Sequence, residues 1–165
     1  MNILATFNDN EFEPADYADR QTVKAVIINN NDEVLLFSGG LPGGGVENGE
    51  TNEEALVREL MEEIGATVSI TRELGNVVTY RDILKLKYVF TGYECHLVSQ
   101  TTPVTTIDHE IGKSAVWQKR SDAIKEMEQH IIDVKNDKDQ YEGDRYQRHI
   151  FNTEAALIFL KQLSK

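Results

Sequence analysis

Between Ser38 and Gly65 the chain must satisfy two opposite backbone demands in succession. Residues 38–49 contain six glycines and Pro42, too irregular for a helix or a strand. Directly afterwards, Thr51 and Glu54 stand at the spacing of a capping box, and Gly65 is a natural helix stop. Between them Leu56, Val57, Leu60, Met61 and Ile64 fall on one arc of a helical wheel, and Glu59, Glu62 and Glu63 fall on the opposite one. The segment therefore predicts a loop followed by a helix that buries one face and presents acids on the other. Unpaired carboxylates at this spacing repel. A hard divalent cation relieves that repulsion, and magnesium is usually held by a few carboxylates, waters and substrate phosphates. Glu50 lies just ahead of the helix, near enough to join the cluster. Arg58 sits among the acids, with a rigid fork of donors suited to holding a carboxylate. Glycines 43, 44 and 45 let backbone approach closely. Metal beside a glycine loop points to chemistry on phosphates.

The rest of the chain supplies strands around this helix. Residues 1–20 read as an irregular, polar and acidic arm broken by Pro14. Val23 to Ile28 and Val34 to Phe37 read as the two strands of a hairpin across Asn29-Asn30-Asn31-Asp32. Thr67–Ile70, Asn76–Tyr80, Leu84–Phe90 and Tyr93–Val98 have the β-branched and aromatic content of strands, and Ala115–Trp117 reads as a short one. Residues 121–134 read as a helix capped by Ser121 or Asp122, residues 136–143 as a polar connection, and residues 145–163 as a terminal helix. No repeat or linker marks a second domain, so the expectation is a single domain over residues 1–165. Its predicted class is α/β (α+β), a mixed sheet covered by helices.

Composition narrows the partners. A net charge of −11, from 17 basic and 28 acidic residues, argues against broad binding to nucleic acid or anionic lipid. It leaves room for a small phosphate substrate, whose metal reverses the local charge. No stretch approaches the ~20 apolar residues of a membrane span, and Met1 to Thr6 lacks the layout of a signal peptide. The single cysteine, Cys95, rules out an internal disulfide. The expected location is the cytoplasm.

From Gly44 to Ala66 the chain resembles the Nudix box. Gly44, Glu50, Arg58, Glu59, Leu60, Glu62, Glu63 and Gly65 match its fixed positions. Ala66 departs from it, since a larger aliphatic is usual there. That position touches packing behind the box, not the acids. Pro42-Gly43 before the box and Glu47 within it also look like the family. The resemblance implies an α/β/α sandwich with a mixed central sheet. It implies an enzyme that cleaves a nucleoside diphosphate linked to another moiety, by water attack on a phosphorus, with magnesium or manganese. Carried over residue by residue, Glu59, Glu62 and Glu63 would bind metal with Glu50 in support. Arg58 would orient the acids, and Gly43 and Gly44 would shape the loop against substrate. Some members use a further glutamate a few residues before a tryptophan as base or extra ligand. Glu110, upstream of Trp117, is the candidate, with Glu94 second. Many members are dimers, so a homodimer is the expected assembly.

The substrate is read by elimination. The proline that ADP-ribose hydrolases often carry about fifteen residues after the box is absent: Arg81-Asp82 stand in that region, and the next proline is Pro103. The motifs associated with NADH and coenzyme A hydrolases are also absent. Nucleoside triphosphates, ordinary or oxidised, are left as the expected class. Dinucleoside polyphosphates and RNA 5′ ends are the alternatives within the enzyme class. A nucleotide sensor without turnover and a structural protein with an acidic helix are the alternatives outside it. His96, His109, His130 and His149 lack partners at ligand spacing and read as structural or solvent-facing. Cys95 reads as a strand residue. Tyr80, Tyr88, Phe90, Tyr93 and Trp117 read as core or sheet-face residues, and Tyr141, Tyr146 and Phe151 as packing.

Overall fold

The computed structural model describes residues 1–8, 16–102 and 114–163. Its elements run β1 (Ile3–Phe7), β2 (Ala18–Ile27), β3 (Glu33–Phe37), α1 (Asn52–Ile64), β4 (Ala66–Arg81), β5 (Leu86–Gln100), β6 (Ala115–Lys119), α2 (Arg120–Asn136), a 3-10 turn (Lys138–Gln140) and α3 (Arg145–Gln162). Four strands form a mixed sheet in the order β1-β4-β5-β2. β1 runs parallel to β4, β4 antiparallel to β5, and β5 parallel to β2. β3 and β6 form a separate antiparallel pair.

Strand alternation sets the layers. Side chains of successive strand residues point to opposite faces. Val23, Ala25 and Ile27 of β2 accordingly join Leu56, Leu60 and Ile64 of α1 in one buried cluster. Val26, on the opposite face, joins Met127 of α2 and Phe159 and Leu160 of α3 in another. One helix covers one face of the sheet and two cover the other, which is the expected α/β/α sandwich.

Several local expectations change. The stretch 1–20 is not an irregular arm throughout. Ile3–Phe7 is a short apolar strand, tied to β4 by Asn76 N–H donating to Asn2 O at 2.8 Å. Phe7 stacks on Phe151 at 6.2 Å. The turn after β2 forms, but its two strands part. Ile28 and Val34 make one isolated bridge, then β2 pairs with β5 and β3 with β6. The four strands expected between residues 67 and 98 are two long ones, because β-bulges at Thr67/Val68, Ile70/Arg72 and Glu73/Gly75 bend β4 without ending it. α2 starts at Arg120 with no side-chain cap. Asp32 anchors that end instead, accepting from Arg120 Nε at 2.9 Å and, through its carbonyl, from Arg120 N at 3.0 Å.

Two contacts across the sheet yield predictions. A Cβ on Gly92 would lie 2.4 Å from the buried Phe159 ring, so α3 reaches the sheet only because that position is bare. Gly92→Ala is expected to lower unfolding stability by about 1–3 kcal/mol, read in denaturant titration. Tyr17 donates to Asp82 Oδ1 at 2.7 Å, and this hydrogen bond, with burial and the Asp82 charge, pushes its pKa up to about 12 from the ordinary 10.0. The bond's contribution is fully present below the ordinary tyrosine pKa and is lost as pH rises to about 12. Wild-type stability is thus expected to fall more steeply over that interval than that of Tyr17→Phe, as followed by alkaline unfolding.

Candidate active site

The glycine loop is fastened to β2 before it meets the helix. Ala25 N donates to Pro42 O at 3.0 Å, Val23 N to Gly44 O at 2.9 Å, and Val46 N to Gln21 O at 3.1 Å. Gly43 has φ +121, and a Cβ there would lie 2.3 Å from Val23 O. Lys24 reaches out of the same strand to donate to Leu41 O at 3.1 Å and to Gly43 O. The loop therefore lies along β2 as an irregular edge, with its backbone groups largely paired.

α1 is delivered beneath this loop by the caps the sequence predicts. Thr51 Oγ1 accepts from Glu54 N at 3.2 Å, and Glu54 Oε2 accepts from Thr51 N at 2.8 Å. Gly65 closes the helix at φ +61 and receives Thr101 N at 2.8 Å. Ala55, Leu56, Leu60 and Ile64 are its buried residues, while Val57, expected on the apolar arc, is 47% exposed.

Arg58 gathers the acids. Its Nε and Nη2 grip Glu50 at 2.7 and 3.0 Å, and Nη1 donates to Glu59 at 2.9 Å and reaches Glu62 at 3.5 Å. Nη2 also donates to Gly45 O at 2.9 Å, which ties helix to loop. The Arg58 hydrogen bonds, with a second from Glu47 N, hold the Glu50 carboxyl down to about 2. Glu59 does not lie on the open arc. Its side chain is 13% exposed, tucked under Gly44, and burial raises its pKa even though Arg58 and Lys24 act in the other direction. Glu63 accepts from Gly43 N at 2.7 Å.

Glu50, Glu59, Glu62, Glu63, Arg58, Gly43 and Gly44 are thus brought together along one side of α1. Among the described residues, no three acids or histidines are disposed as metal ligands. Arg58 engages Glu50, Glu59 and Glu62, while Gly43 N–H engages Glu63. The donor set still fits a divalent ion: it consists of carboxyl oxygens, which hard cations prefer, and it includes Glu59, where burial disfavours an uncompensated negative charge. Glu110 and His109 lie outside the described residues. Glu94 is paired with Arg72 at 2.7 Å, on a part of β5 with no hydrogen bond to this cluster among the described residues. Cys95 is buried, and its thiol is pushed up to about 12 by that burial.

Glu63 also opens onto a cleft of about 790 Å³. Leu36, Phe37 and Leu41 line one side, and Met127, His130, Arg148, His149 and Asn152 line the other. The histidines read as structural are therefore side by side in this cleft, with ring centroids 5.6 Å apart. Nineteen positions separate them in sequence, and only the packing of α2 on α3 joins them.

An α/β/α sandwich whose acid-bearing helix is locked beneath a glycine loop defines a class of phosphate-handling folds. The family model described as the NUDIX domain matches residues 18–138. The chain is 30% identical over 126 residues to diphosphoinositol polyphosphate phosphohydrolase 3-alpha of Mus musculus, covering 72% of this chain and 74% of that protein. It is 44% identical over 81 residues to nucleoside triphosphatase NudI of Enterobacter sp. (strain 638), covering 38% of this chain and 57% of that one. Its fold is similar to that of a NUDIX hydrolase from Nitrosomonas europaea, with a TM-score of 0.53, 21% identity, and coverage of 90% of this chain and 97% of that one. The chain belongs to the Nudix family and is a pyrophosphohydrolase of that family.

Gly44 supplies the local test. A Cβ there would lie 2.4 Å from the Glu59 carboxyl group, the movable end of a side chain. Gly44→Ala is expected to fold with little change in melting temperature, yet to lose about a hundredfold in hydrolysis rate through displacement of Glu59.

Proposed function

We propose that the chain hydrolyses a phosphoric anhydride bond in a nucleoside diphosphate linked to another moiety, with the acid side of α1 as the reaction centre. The observation that carries this reading is the Arg58 network. It holds Glu50, Glu59 and Glu62 under the glycine loop, while Glu63 accepts from Gly43 N and faces the cleft. In the proposed roles Glu59, Glu62 and Glu63, supported by Glu50, hold a divalent ion. Nudix hydrolases generally use one, and magnesium or manganese suits carboxylate oxygens. When bound, such an ion neutralises anhydride oxygens and lowers the pKa of a water molecule.

The chain's own residues do the positioning. Arg58 restricts Glu50 and Glu59 to one orientation each. Gly43 and Gly44 bring backbone within reach of substrate phosphates, where a side chain would displace Glu59 or clash with β2. The cleft's apolar side, with Leu36, Phe37 and Leu41, gives the substrate body a surface shielded from water. Hydrolysis forms one bond from water oxygen to phosphorus and breaks the bridging P–O bond, whose oxygen leaves with the other product. Glu110 stays the proposed base or extra ligand.

Nucleoside triphosphates, ordinary or oxidised, are the first substrate class, supported by the likeness to a nucleoside triphosphatase over 81 residues. A diphosphoinositol polyphosphate, an anhydride without a nucleoside, is the second reading, supported by the longer match to a hydrolase of that name and by Lys24, His130, Arg148 and His149 in the cleft.

The test is release of phosphate or pyrophosphate from a panel of both classes, together with dinucleoside polyphosphates, ADP-ribose, NADH and nucleotide sugars, with and without magnesium. Metal-dependent release is expected, with Glu63→Gln slower by at least about a hundredfold while keeping its circular dichroism. Binding without turnover across the panel would favour the sensor.

A further inference from the structure

We propose that the wall of the cleft formed by His130 of α2 and by Arg148, His149 and Asn152 of α3 is a subsite for a second phosphate group of the substrate, remote from the anhydride that is cleaved. The proposal rests on the reading of the cleft as the seat of an anhydride substrate. It selects, within that reading, substrates whose body is itself phosphorylated.

The wall offers hydrogen-bond donors. Arg148 brings a guanidinium, which has no acceptor. The two imidazoles stand 5.6 Å apart at 53°, and the Tyr141 ring packs on His149 at 5.1 Å and 60°. Asn152 is oriented from behind. Arg81 is 3% exposed, with its guanidinium 3.9 Å from the centre of the Tyr88 ring and 3.4 Å from Asp144, and it donates from Nη2 to Asn152 Oδ1 at 2.8 Å. Since a guanidinium only donates, the amide oxygen must face Arg81, and the NH₂ group is the end left for the cleft. The guanidinium and the amide NH₂ group present donors alone, a poor match for a nucleobase edge that mixes donors and acceptors, whereas each imidazole also has an acceptor nitrogen when neutral. Phosphate oxygens are acceptors that pair with guanidinium and imidazolium strongly.

Charge follows the same division. The acids lining the cleft are Glu63, at the catalytic end, and Glu126, one helical turn before His130. Burial first, then His130, Arg148 and Arg145, push the His149 imidazole below its ordinary value. A phosphate brought beside His149 favours its protonated form and turns repulsion by the neighbouring cations into shared attraction. In a chain of net charge −11, Lys24 and Arg148 lining one cleft are a departure from the average surface.

The subsite is tested with inorganic tripolyphosphate in metal-free buffer near pH ~6.5. Calorimetry gives affinity, and the ring-proton signals of His130 and His149 report the place. Binding is expected to weaken about tenfold in Arg148→Ala, to survive in Glu63→Gln, and to move both histidine signals. Asn152→Asp is expected to weaken binding by a similar factor without lowering the melting temperature, because the new carboxylate pairs with Arg81. In the kinetic arm, Arg148→Ala raises KM about tenfold with kcat little changed. It does so for a nucleoside triphosphate carrying a 3′-phosphate or for a diphosphoinositol polyphosphate, and more than for a plain nucleoside triphosphate. The arm that responds names the source of the phosphate. Absent binding, or equal affinity in wild type and Arg148→Ala with unmoved histidine signals, overturns the subsite. Binding in the expected pattern with no hydrolysis of any substrate would sustain the subsite and overturn the anhydride reading.

Discussion

The guanidinium of Arg58 is the joint on which the candidate site depends. A planar fork can satisfy two carboxylates and a carbonyl at once without bending, which a lysine ammonium on a flexible stem does not match. Here it grips Glu50 with two nitrogens, takes Glu59 and Glu62 with the third, and reaches Gly45 O. Glu50 precedes the helix, Gly45 belongs to the loop, and Glu59 and Glu62 are helical. One side chain therefore fixes three backbone segments relative to one another. The carboxylates in turn keep the guanidinium charged in a partly buried place, since their hydrogen bonds raise its pKa against the cost of desolvation.

β2 makes the arrangement rigid from the other side. It is the edge strand of the main sheet, and the glycine loop covers the edge that would otherwise expose unpaired backbone groups. The same strand carries Lys24, whose ammonium holds the Leu41 and Gly43 carbonyls and lines the cleft. The loop thus connects the acid side of α1, on one face of the sheet, with the cleft closed by α2 and α3 on the other. Overall charge and local charge differ accordingly. An acidic surface discourages long polyanions, while Lys24 and Arg148 in the cleft can still favour a small one.

Local signals were legible wherever the chemistry is local. Thr51, Glu54 and Gly65 marked both ends of α1, and both caps form. The apolar positions Ile150, Ala155, Leu157, Ile158, Leu160 and Leu163 marked α3. Other signals misled. Ile3–Phe7 was hidden by the polar, acidic residues after it, although five mostly apolar residues suffice for an edge strand. Val23–Ile28 and Val34–Phe37 looked like partners because they are adjacent in sequence, but pairing is settled by which strands the helices press together. Glu59 looked solvent-facing on a helical wheel. A wheel contains no loop, and the Gly43–Gly45 segment that covers Glu59 comes from outside the helix.

The amino-acid sequence by itself determined the box: residue types, helix spacing and caps act over a few residues, so their geometry follows from 3.6 residues per turn. It also determined the family, because many fixed positions in one short segment carry it. The tertiary structure decided that Glu59 is half-buried under the glycine loop, that Glu63 faces a cleft, and that His130, Arg148, His149 and Asn152 share a wall with Arg81 behind it. Those facts depend on contacts between residues far apart in the chain. Such contacts arise from the packing of whole helices on a sheet, and no local spacing encodes them.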